Sequence, residues 1–317
     1  MRMPGILDRY SGAPLAELFG DVAPVSIDHP SMAWLNPPSA EILKFVRERT
    51  PLPFEGIPQD QNQFKRDLSF PIAQVHRLSI TLDTVRKHLP WHPQSVMLDL
   101  GAFPFSIAVA LRDMHHFPGR IHVTSNLELA QEVQLPLRQR NIEHSYLELD
   151  TYVASDSEFD RGLSKTIAFA DNSVDLVVFS HVIEHLYHPI RILKEAHRVL
   201  KPGGKLLVST DNALMLEAFL RLGYCNDFIH EPVDGTSAMT FNFWRGHNRF
   251  FSPGDLHTMC SSVGLKPIEL SFYEILYNSF MDDYFHHPVK SMPSWKARVL
   301  GEMPVYRNEV IMVAEKA

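Results

Sequence analysis

A chain of 317 residues is long enough for one large α/β domain with additions, or for two modest domains. Its 45% hydrophobic and 21% charged residues make an ordinary soluble globular composition, and no apolar run approaches the roughly 20 residues that span a bilayer. A net charge of −7 argues against a nucleic-acid partner, whose phosphates call for a basic surface.

At the start of the chain, Asp8 and Arg9 stand where a secretory leader needs its apolar stretch. With only Cys225 and Cys260 available there is no disulfide framework either, so a reduced, cytoplasmic chain is expected. Residues 1–60 are proline-rich and weakly periodic, with one helical pattern over 40–49. Over 71–89, Ile72, Val75, Leu78, Leu82, Val85 and Leu89 recur every three or four residues, which predicts an amphipathic helix stopped by Pro90. Residues 1–90 therefore read as a partly helical N-terminal extension that packs on or caps a core formed by 91–317.

That core alternates strands with helices. Strand 95–100 runs into a turn at Gly101 and a helix to about Leu111; strands 120–124 and 145–149 follow. Residues 174–180 are continuously apolar, as in a strand buried on both faces. The next helix carries Ile192, Leu193, Ala196, Val199 and Leu200 on one face, 201–204 make a turn, and 205–210 form a fifth strand. Ser252, Pro253 and Asp255 mark a helix start, Gly264 its end, and 266–272 and 309–315 two last strands. The order predicts an α/β fold with a doubly wound, seven-stranded, mainly parallel sheet, its ligand site beyond the carboxyl ends of the strands. Residues 213–251 and 273–308 break the alternation and read as insertions.

The first strand ends Leu98-Asp99-Leu100-Gly101-Ala102-Phe103-Pro104-Phe105, a strand-to-turn-to-helix passage of the nucleotide-binding kind. Phe103 and Phe105 stand where a dinucleotide site needs glycines for its pyrophosphate, so a ligand without phosphates, carrying an ammonium and hydroxyls, fits better. Further along, Asp171, Ser173 and Asp175 lead into the buried strand, and Glu184-His185 follows it. Arg198-Val199-Leu200-Lys201-Pro202-Gly203-Gly204 then turns into the fifth strand. These segments resemble the methyltransferase type 11 family of class I S-adenosylmethionine-dependent enzymes. His247, Arg249, Phe251, Ser252, Asp255 and Leu256 are similar to a segment of members found in glycan and natural-product pathways.

The resemblance spans roughly residue 95 to the last. It implies a Rossmann-like methyltransferase core with S-adenosyl-L-methionine as cofactor, held at Asp99, Gly101, Ala102, Phe103, Asn126, Glu128, Asp150 and Ser180. The chain departs from the family in keeping only Gly101 of the glycine-rich turn. It also has Ser125-Asn126 where an acid normally binds the ribose.

His181 and His185 share the H-x-x-E-H spacing of one group of zinc peptidases, but here the motif emerges from a buried strand, and no metal is expected. The expected chemistry is O-methylation of a small metabolite or of a sugar or glycan hydroxyl. In it His185 serves as general base, His181 as the second candidate, and Glu184 orients the ring. Phe243, Trp244, Arg245, His247 and Arg249, aromatic and basic residues interleaved, are the expected acceptor contacts. The alternative is a catalytically silent, methyltransferase-like binding or scaffold protein. Neither oligomeric state nor acceptor identity is written in the sequence.

Overall fold

The computed structural model describes residues 23–26, 28–49, 74–126, 128, 129, 131–149, 167–216, 218, 219, 247, 249–275 and 291–317. Four of the expected site residues, Asp150, Phe243, Trp244 and Arg245, lie outside them.

Helix α1 (Ala40–Arg49) precedes α2 (Val75–His88), whose predicted apolar positions Val75, Leu78, Leu82 and Val85 are all buried. Both helices join the same apolar cluster as Met97, Ile121, Val178 and Leu207 of the sheet. His76, fully buried in α2, donates from Nε2 to the carbonyl of Asn36 at 2.9 Å, and burial lowers its pKa to about 4. A neutral imidazole thus fastens α2 to the segment before α1.

The sheet is built from β2 (Val96–Asp99), β3 (Arg120–Ser125), β4 (Ile142–Tyr146), β5 (Val174–Ser180), β6 (Leu200–Asp211), β7 (Leu265–Tyr273) and β9 (Glu309–Lys316). Their spatial order is β4-β3-β2-β5-β6-β9-β7. Strands β2 to β6 are parallel, while β9 runs antiparallel between β6 and β7. From β2 the chain winds outward one way to β4, then returns to β5 and winds the other way. The crevice where ligands bind such a sheet therefore opens between the carboxyl ends of β2 and β5. Helices α3 (Ser106–Asp113), α4 (Gln131–Gln139), α5 (Pro189–Val199) and α6 (Pro253–Ser262) complete the wound core. The start of α6 is a full capping box, with Ser252 accepting from the Asp255 amide and Asp255 accepting from Ser252. No described helix is long and apolar enough to cross a membrane.

Two local expectations need correction. The strand expected at 145–149 begins at Ile142, because Asn141 turns the chain at φ 52 and the buried Ile142 pairs with Ile121. Leu200 already pairs with Val174, so β6 starts before its predicted turn; 201–204 bulge out, and pairing resumes between Leu176 and Lys205. Within the stretch read as an insertion, β8 (Ser291–Pro293) and helix α7 (Ser294–Glu302) are formed. Strand β8 pairs with β1 (Pro24–Ser26) in a small antiparallel ribbon over Met32, Leu35, Met292 and Ala297.

Candidate active site

At the β2 end, Asp99 is buried, and its Oδ2 has no hydrogen-bond partner among the described residues. Burial pushes its pKa up to about 8. Gly101 follows at φ 68, and a Cβ there would lie 2.7 Å from Cγ2 of Val182, so only glycine fits between the turn and the end of β5. Its amide donates to Thr124 Oγ1 at 3.1 Å, and the Ala102 amide to the Thr124 carbonyl at 2.8 Å, which ties the turn to β3.

The two phenylalanines that replace glycines turn inward. Phe105 is fully buried, packing edge-on to Phe103 at 5.7 Å and to His144 at 5.6 Å between ring centroids. His144 in turn holds the Ser125 hydroxyl at 2.9 Å. Beyond β3, Asn126 and Glu128 are exposed; across the crevice, Ser180 Oγ lies 2.8 Å from Ser209 Oγ. An unsatisfied buried carboxyl oxygen of Asp99 beside an obligatory glycine, with exposed polar groups at the neighbouring strand end, suits a ligand that carries an ammonium and hydroxyls.

The β5 end holds a second set of groups. His181, at φ 51, lies with Nδ1 3.0 Å from Glu184 Oε1 and Nε2 2.6 Å from Glu309 Oε1. Burial and Arg77 pull its pKa down, but Glu309 and Glu184 outweigh them and hold it at about 9. With both ring nitrogens donating to carboxylates, His181 offers no lone pair, which removes it as a base. Glu184, the residue expected to orient His185, is hydrogen-bonded to His181, and one of its oxygens also lies within 4.8 Å of a ring nitrogen of His185. Burial acts to raise its pKa, but His181 above all, then His185 and His247, hold it well below the usual carboxylate range.

Two further acids come from strand ends. Asp211 closes β6 and Glu309 opens β9, directly opposite each other in the antiparallel register. Like charges facing across strands repel. Arg77 of α2 stands between them, 3.3 Å from Asp211 Oδ1 and 3.4 Å from Glu309 Oε2. The other Asp211 oxygen, Oδ2, is 3.4 Å from Nδ1 of His247, whose ring meets that of His185 at 4.7 Å between centroids. Arg249 donates to the Tyr187 carbonyl at 3.2 Å, holding the His247 segment against the turn after β5.

The structure thus gathers His181, Glu184, His185 and His247 at one strand end and puts Asp99, Gly101, Ala102 and Phe103 at the neighbouring one. Sequence reasoning missed Arg77, Asp211 and Glu309. The only local signal is an acid at the very end of a predicted strand, Asp211, and another at the very start of one, Glu309.

Comparison with known proteins adds the family. Residues 127–208 match the model of a methyltransferase domain. That segment is similar to class I S-adenosylmethionine-dependent methyltransferase domains. The ubiquinone biosynthesis O-methyltransferase of Ruegeria pomeroyi is 26% identical over 140 residues, covering 44% of this chain and 50% of that protein. The malonyl-[acyl-carrier protein] O-methyltransferase of a Marinomonas species is 29% identical over 131 residues, 41% and 43% of the two chains. The chain therefore spans half or less of the length of these relatives. Among solved structures, Haemonchus contortus phosphoethanolamine N-methyltransferase 2 has the same fold, with a TM-score of 0.50 and 14% identity over 81% of this chain and 58% of that one.

Proposed function

We propose that this chain methylates a hydroxyl oxygen of a small metabolite or sugar, with S-adenosylmethionine as methyl donor. The observation that carries the reading is the pairing of an imidazole cluster at the β5 end with the Asp99–Gly101 turn at the adjacent β2 end. S-adenosylmethionine supplies an already activated methyl group. What remains for the protein is to align the acceptor and to take its proton. Asp99, Gly101, Ala102 and Phe103, with Asn126, Glu128 and Ser180, would hold the cofactor, while His185, His247 and Arg249 face the acceptor. Both named curated relatives are O-methyltransferases, which supports oxygen over nitrogen as the acceptor atom. The net charge of −7 supports a small acceptor over a nucleic acid.

Cofactor binding is the test. Titration calorimetry with S-adenosylmethionine should give micromolar affinity, weakened at least tenfold in Asp99→Ala, or about 1.4 kcal/mol. Because Asp99 is held near 8, it is largely protonated in the free protein at pH 7. Binding a cation beside it should therefore release protons, seen as a heat that changes with the buffer's ionisation enthalpy. Unchanged affinity in Asp99→Ala would remove the cofactor from this turn. No binding by the wild-type protein would favour the scaffold reading, for which the loss of the glycines at Phe103 and Phe105 argues.

A further inference from the structure

We propose that Arg77, supplied by the amino-terminal extension, is a positioning residue for methyl transfer. Its charge lets two facing carboxylates, Asp211 and Glu309, keep the places from which they set the imidazoles on the acceptor side. The inference rests on the proposed transfer to a hydroxyl. Arg77 lies in the first turn of α2, its side chain only 14% exposed, and its guanidinium reaches the carboxyl end of β6. Nη1 donates to Gln74 Oε1 at 2.8 Å, which aims the group. Nη2 donates to Asp211 Oδ1 at 3.3 Å, and Nε lies 3.4 Å from Glu309 Oε2. Both acids are buried, and they stand opposite each other across β6 and β9.

Each acid begins an arm toward the same place. Through Oε1, Glu309 accepts from His181 Nε2 at 2.6 Å, and His181 Nδ1 meets Glu184 Oε1 at 3.0 Å. Through Oδ2, Asp211 lies 3.4 Å from His247 Nδ1. The arms converge, because a carboxylate oxygen of Glu184 and ring nitrogens of His185 and His247 lie within 4.8 Å of one another. This is the side on which the proposed function puts the acceptor. Removing Arg77 takes a cation from a desolvated space that holds Glu184, Asp211 and Glu309. Like charges directly opposite on neighbouring strands repel, so Asp211 and Glu309 would shift, and with them the side chains they steady. At 3.3 and 3.4 Å the contacts from Arg77 to the acids are long, so its charge matters here more than its planar fork.

Two variants and one titration test this. Rates are measured with whichever acceptor the wild-type protein methylates from a panel of hydroxylated metabolites and sugars. Arg77→Met, which removes the charge and keeps most of the length, should lose about ten- to hundredfold in kcat, as a misplaced catalytic group does. Its cofactor affinity and acceptor KM should stay within about threefold of wild type. Arg77→Lys, which restores the charge, should recover most of the lost rate. Nitrogen-15 NMR follows the titration of His181, which lies at about 9 with Arg77 among the groups pulling it down. It should rise in Arg77→Met and return in Arg77→Lys; this measurement needs no acceptor. Arg77→Gln replaces Arg77→Met, with the same expectations, if that variant does not fold. The proposal is overturned by a kcat within threefold of wild type in Arg77→Met, or by an unchanged or lowered His181 titration there. It is equally overturned by an Arg77→Lys as slow as Arg77→Met, or by a loss confined to KM, which would make Arg77 an acceptor contact. Failure of the transfer reading looks different: wild-type protein forms no methylated product while His181 still rises in Arg77→Met.

Discussion

Glu309→Ala should lower the stability of the protein by about 3–5 kcal/mol, the cost of removing one partner from a buried ion network. Glu309 is buried, with Oε1 2.6 Å from His181 and Oε2 3.4 Å from Arg77. Without it, two cationic groups share Glu184 and Asp211 in a desolvated space. The effect also has a pH signature. His181 is held at about 9, above the 6.5 of an unfolded histidine, because Glu309 and Glu184 outweigh burial and Arg77. Its contribution is therefore fully present below pH 6.5 and fades as pH rises toward 9, by about 3 kcal/mol in all. Thermal unfolding at pH 6 and pH 9 should show this decline in the wild-type protein and a much smaller one in Glu309→Ala. A loss under about 1 kcal/mol at pH 6 would mean that the network does not hold His181 in place.

Arg198→Lys should cost about 2–3 kcal/mol although it keeps the charge, because one ammonium does not reproduce a planar fork. The guanidinium donates to both oxygens of Glu195 at 2.8 and 2.9 Å, to Asp171 at 2.7 Å, and to the carbonyls of Phe169 and Ile167 at 2.8 Å. Glu195 is buried and also accepts from the Ile167 amide at 3.2 Å, so the cluster clamps the approach to β5 onto α5. Urea unfolding measures the loss. A midpoint equal to wild type would show that the contacts to Phe169 and Ile167 carry no net stability.

That arginine also shows what the sequence could and could not yield. Residues 167–210 read correctly as entry, buried strand, helix and strand, because each has a period of its own: continuous apolar residues in β5, then Ile192, Leu193, Ala196 and Val199 on one face of α5. The Arg198–Glu195 clasp gives the family motif its physical reason, but only the fold brings Ile167 and Phe169 under the guanidinium. The ribbon of β1 and β8 escaped because its two short strands, one near each end of the chain, leave no local pattern. The bulge at 201–204 escaped because two glycines read as a turn whether or not Leu200 is already paired.

At the site, Gly101 and the Glu184-His185 pair were legible from local sequence. The hydrogen bond from His181 to Glu184 was not, because His181 takes a left-handed backbone conformation that its sequence does not announce. Arg77, Asp211 and Glu309 come from a helix face and two strand ends, and they meet only because β9 returns antiparallel beside β6 and pairs Glu309 with Asp211.

The central claim is methyl transfer to oxygen. Purified protein incubated with methyl-labelled S-adenosylmethionine and a panel of hydroxylated metabolites and sugars tests it most directly, with mass spectrometry locating the label. The expected result is stoichiometric S-adenosylhomocysteine with an acceptor labelled on a hydroxyl oxygen, formed far more slowly by His247→Ala and by Asp99→Ala. Label on nitrogen or on a carboxylate, or cofactor bound without any turnover across the panel, would contradict it.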